Sequence, residues 1–172
     1  MFLPQISDAF GLLGMNRNLP LLKPMEKEVP LAASTDLDRL VEDFVARTLP
    51  KEAWTHEAHL LVALWHLHHH SLDEATCLLR SRIISYNVAV GTENSSTSGY
   101  HETMTLFWIW VVEQFLKSHQ GKLHDLATTY LESRYADRKL PLLFYQRSTL
   151  FSVKARARWV EPDLQALDFS II

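Results

Sequence analysis

Two short segments of this 172-residue chain hold the residue types that acid-base and metal chemistry use: His56-Glu57-Ala58-His59 and His101-Glu102. His56 and His59 are three apart, a spacing that on a helix sets both imidazoles on one face, where they can share a single ion. Glu57 falls on another side, about 160° around from His59 at roughly 100° per residue. With His101 as a third donor, the set has the ligand number of a catalytic metal site that keeps one position open. The expected ligands are therefore His56, His59 and His101 around a divalent ion such as Zn, Fe, Ni or Mn. Glu102 is expected to take a proton from ion-bound water, giving hydrolytic or hydration chemistry on a small molecule. Glu57, Tyr86, Asn87 and Tyr100 are expected around the ion as orienting or substrate-binding groups. The first segment is one residue short of His-Glu-x-x-His, which sets it apart from the zincins.

A structural role competes with this chemistry. Histidines and glutamates at buried helix starts also cap backbone amides and bond one another. The protein is then a non-enzymatic interaction protein with a structural His/Glu cluster. A third reading is a metal-free pocket for a small anion or cofactor.

Either use needs elements that bring residues 56 and 101 together. Leu37, Leu40, Val41 and Phe44 recur at helical spacing after Thr35 and Asp38, which have the form of a capping box. Pro50 suits the first turn of a second helix running through Trp54, Leu60, Leu64 and Trp65 to His70. Ser71 and Glu74 form another capping box, opening a third helix with Ala75, Leu79, Ile83, Tyr86 and Val90 on its stripe and Gly91 at its end. Thr92 to Gly99 is a polar loop, and the run from Met104 to Leu116 is apolar on almost every face. The second and fourth helices must therefore be central, and parallel packing would align the two His-Glu segments. Leu123 to Leu131 predicts a fifth helix and Leu142 to Phe151 a sixth. The expected fold is all-α, a single-domain bundle of about six helices over residues 35–172, preceded by an irregular, proline-containing apolar arm at residues 1–34.

Composition narrows the function classes. A content of 47% hydrophobic and 22% charged residues with a formal charge of −3 gives no electrostatic reason to expect nucleic acid. No apolar run approaches the roughly 20 residues that cross a bilayer, and the first residues lack the pattern of a secretory signal. A cytoplasmic protein acting on a small molecule is expected, with the apolar arm as a route to homo-oligomers. Cys77 is the sole cysteine and is expected to pack in the core. The other histidine group, His66, His68, His69 and His70, is expected as a solvated, partly charged helix end. Lys154, Arg156 and Arg158 are expected on a solvated face, and Trp108 and Trp110 in the core.

The segments Trp54-Thr55-His56-Glu57-Ala58-His59-Leu60, Tyr86-Asn87 and Gly99-Tyr100-His101-Glu102-Thr103 resemble the signature of an uncharacterised bacterial family of small all-helical proteins. The resemblance spans roughly residues 50 to 118. It implies one helical domain and draws attention to the His-Glu end, and it supplies no reaction.

Overall fold

The computed structural model describes residues 34–171, so the expected arm at 1–34 lies, but for its last residue, outside the described residues. Seven α-helices occur among the described residues: α1 Ser34–Ala46, α2 His56–His69, α3 Leu72–Ala89, α4 Glu102–Ser118, α5 Leu123–Glu132, α6 Arg147–Leu150 and α7 Val153–Ala157. No strand occurs among them, in keeping with the all-α bundle expected. None of these helices is long and apolar enough to cross a membrane.

Local sequence explains most of the boundaries. The Ser71 side chain accepts from the Glu74 amide, and Glu74 returns the contact to the Ser71 amide, the complete capping box the sequence predicts. Two starts differ from expectation. α1 begins at Ser34, so Thr35 is a helical residue, and Asp38 accepts from the Trp65 indole at 3.0 Å. Pro50 precedes a separate 3-10 turn, Lys51–Ala53, and α2 starts only at His56, where Thr55 caps the Ala58 amide.

The C-terminal third is more broken than its apolar pattern implies. In place of one helix from Leu142 to Phe151 there is a 3-10 turn at Leu140–Leu143, then α6 and α7. Gln146 and Ser152 are extended and interrupt the run. The Asp163 carboxylate accepts from the Gln146 amide at 2.8 Å, and Ser152 caps the Ala155 amide.

α2 and α4 make the most extensive contact of any pair of elements. Leu60, Leu61, Val62 and Leu64 of α2 and Phe107, Val111, Val112 and Phe115 of α4 are almost fully buried, as expected for helices apolar on most faces. α7 packs on α4, so the C-terminal segment closes over the start of that helix. Cys77 is exposed on α3, because the stripe that α3 buries runs through Ala75, Leu79 and Tyr86.

His66 also departs from expectation. It is wholly buried, its Nδ1 donating to the Val62 carbonyl at 2.6 Å and its Nε2 accepting from Arg82. Burial pushes its pKa down to about 4, with the Arg82 charge adding to the effect, so it is not part of a charged helix end. Arg82 thus meets a neutral ring instead of an acid.

Candidate functional site

His56, the first residue of α2, turns its ring edge-on to Trp108, with centroids 5.0 Å apart, and its Nε2 donates to the Ala136 carbonyl at 2.9 Å. Glu57 faces solvent beside Arg138, 3.3 Å away. Its carboxyl is held below the usual range, first by its own backbone amide at the helix start. Both residues thereby fasten the segment after α5 to the beginning of α2.

His101 is the N-cap of α4. Its Nδ1 accepts from the Met104 amide at 3.2 Å, and its Nε2 donates to the Leu150 carbonyl at 3.0 Å. Both ring nitrogens are spent, and burial together with Arg156 keeps the ring toward its neutral form. Thr103, in the first turn, bridges to the same C-terminal segment: its hydroxyl donates to the Arg158 carbonyl and accepts from the Val160 amide. Arg156 donates to the Gly99 and Tyr100 carbonyls, so it too serves the start of α4 and is not on a solvated face.

Glu102 is engaged on both sides. Arg80 of α3 grips it with Nε and Nη2, and the Tyr100 hydroxyl donates to it at 2.6 Å. Burial raises the Glu102 pKa, but the hydrogen bonds from Arg80 and Tyr100 outweigh it and hold the carboxyl below its usual range. A carboxylate fixed in this way is a poor proton acceptor near neutral pH.

The histidines of the two His-Glu segments are not grouped as one ligand set among the described residues. Arg80 and Arg82 are neighbours along α3, and they reach Glu102 and His66, so the start of α4 lies level with the second half of α2. The start of α2 faces Trp108, well inside α4. Among the described residues no three His, Cys, Asp or Glu side chains are grouped so that they could hold an ion. His56, His59 and His101 bond to three different carbonyls, those of Ala136, Thr55 and Leu150.

What the offset creates is a cavity of about 410 Å³ between α2, α3 and α4. Val62, Ala63, Leu79, Ile83, Met104 and Ile109 form its apolar body, with Trp54 and Trp108 as aromatic walls. Trp108 is thus a pocket wall as well as a core residue. His59, His101, Tyr100 and Asn87 line it, whereas His56, Glu57, Tyr86 and Glu102 do not. Tyr86 is buried beneath, its hydroxyl donating to the Leu49 carbonyl at 3.1 Å.

His59 keeps hydrogen-bonding capacity at the cavity wall. Its Nδ1 donates to the Thr55 carbonyl at 2.6 Å, which makes Nε2 the lone-pair nitrogen of a neutral ring. Nε2 has no partner among the described residues. Burial lowers the pKa of the ring to about 4, and Trp54 covers one face with centroids 3.8 Å apart.

Lys51, which lines the cavity, and Asn94, which supports it, are not singled out by the sequence. The Asn94 side chain accepts from the Asn87 amide group and the Tyr100 backbone amide and donates to the Ile84 carbonyl, which ties the loop after α3 onto that helix. Gly99 (φ +70) passes so close that a Cβ would sit 2.5 Å from the Glu93 carbonyl oxygen. The cluster of Asn, Ser and Gly at 94–99 marks a loop, but nothing local indicates that one Asn organises it. Comparison with family models, with curated proteins and with solved structures returns no match.

Proposed function

We propose that this protein binds a small, largely apolar organic molecule in the cavity between α2, α3 and α4, with His59 accepting a hydrogen bond from it. The observation that carries this reading is the pairing of an apolar, tryptophan-walled cavity with one unspent imidazole nitrogen. Its volume falls in the range of small-molecule sites, which combine apolar walls with few fixed polar groups. The segments behind the family resemblance support it, since Trp54, His59, Asn87, Gly99, Tyr100 and His101 all line the cavity. Metal-dependent chemistry ranks second. It requires His101 to release its cap and His56 to leave Ala136.

Naphthol, an apolar bicycle with one O–H donor, is a suitable probe. Titration calorimetry of the full chain should show saturable binding, weakened about three- to tenfold in His59→Phe by the loss of one hydrogen bond. Absence of binding, or equal affinity in the variant, would sink the proposal.

A further inference from the structure

We propose that the ligand of this cavity is a monocarboxylate, an apolar body whose acid group pairs with Lys51 at the rim. The inference rests on the binding reading above and adds the charge of the ligand to it. Lys51 is the only charged side chain among the residues that line the cavity. It opens the 3-10 turn before α2, is exposed, and forms no ion pair among the described residues.

The acids nearby are otherwise occupied or lie outside the lining. Glu57 faces Arg138, Glu102 is gripped by Arg80 and Tyr100, and Glu52, next to Lys51, does not line the cavity. A cationic ligand would enter apolar walls with no carboxylate to meet it, at the full cost of desolvating its charge. A phosphorylated ligand would bring more negative charge than one lysine and two neutral imidazoles can balance. A single carboxylate matches the single ammonium, and the rim spares both groups complete desolvation. The polar ends of the ligand are then distinct. His59 Nε2 accepts and therefore repels a carboxylate, so a hydroxyl or N–H faces His59 while the acid faces Lys51.

Hydroxynaphthoate tests this against naphthol, since the two differ only by the carboxylate. Calorimetry on the full chain should give an affinity for hydroxynaphthoate about three- to fivefold above that for naphthol, the size of a solvent-exposed ion pair. The gain should persist in Lys51→Arg and vanish in Lys51→Met. Equal or weaker binding of the acid, or a gain that survives Lys51→Met, overturns the assignment and leaves the binding reading standing. If neither compound binds, the binding reading fails and the carboxylate assignment falls with it.

Discussion

Histidine in this protein does three different jobs, and the atoms each ring bonds decide which. His101 spends both nitrogens on backbone, His66 is a buried acceptor for Arg82, and His59 keeps one lone pair at the cavity wall. His59 and His66 share a consequence. Burial holds both at about 4, down from 6.5, so in the native state they stay neutral where the unfolded chain would protonate them. Across that interval the unfolded state binds more protons, and stability therefore rises with pH. The contribution is fully present above 6.5 and is lost as pH falls through the interval toward 4. Urea unfolding midpoints measured from about pH 7 down to about pH 5 should fall, with up to about two protons taken up by this pair per unfolding event and further uptake from His56 and His101, whose rings are also held toward the neutral form. His59→Phe should lower that uptake by up to about one proton, and a flat profile would contradict the neutral assignment. The neutrality of His59 is legible from its place at a helix start, where the dipole disfavours imidazolium, whereas that of His66 is not, because it depends on α3 packing over it.

At the scale of elements, the His-Glu segments work as splints. The start of α2 is fastened to residues 136–138, and the start of α4 to Leu150 and Arg158, so each anchors a piece of the irregular C-terminal third. His101→Ala should therefore cost about 1–3 kcal/mol, adding a lost N-cap to an orphaned Leu150 carbonyl. Chemical denaturation reads this directly. His101→Asn, which restores a capping acceptor, should recover part of the loss, whereas a solely ligand-binding role predicts no change in stability. The limits of sequence reading are clear in the same elements. Ser71 and Glu74 are legible because both halves of the capping box lie within one turn. Thr55, a good N-cap type directly before His56, offers the same kind of signal and outranks Pro50 as the start of α2. His101 is not legible as a cap, since histidine is an uncommon one and its second partner lies 49 positions away. The break at Gln146 is hidden for the same reason: it is made by Asp163, well beyond the local pattern.

For the whole molecule, the question is whether a cavity of about 410 Å³ in a small helical domain is a site or a packing flaw. Interiors normally approach crystal density, and unfilled volume costs stability in proportion to its size. The surroundings bear on the answer. The loop after α3 is tied down by Asn94, the start of α4 is capped by His101, and Arg80, Glu102 and Tyr100 brace the gap between α3 and α4. The walls are thus held apart by satisfied polar contacts, and the helices are not free to collapse inward. Ala63 projects into this space from α2 and is itself almost buried. Ala63→Leu should fill part of the volume and raise the thermal midpoint, because added apolar contacts replace empty space and leucine is nearly as good a helix former as alanine. The same variant should bind naphthol at least about tenfold more weakly, since the added side chain occupies the room the ligand needs. A packing flaw predicts the gain in stability with no binding to lose in the parent protein. A site predicts both changes together, the ordinary exchange of stability for function.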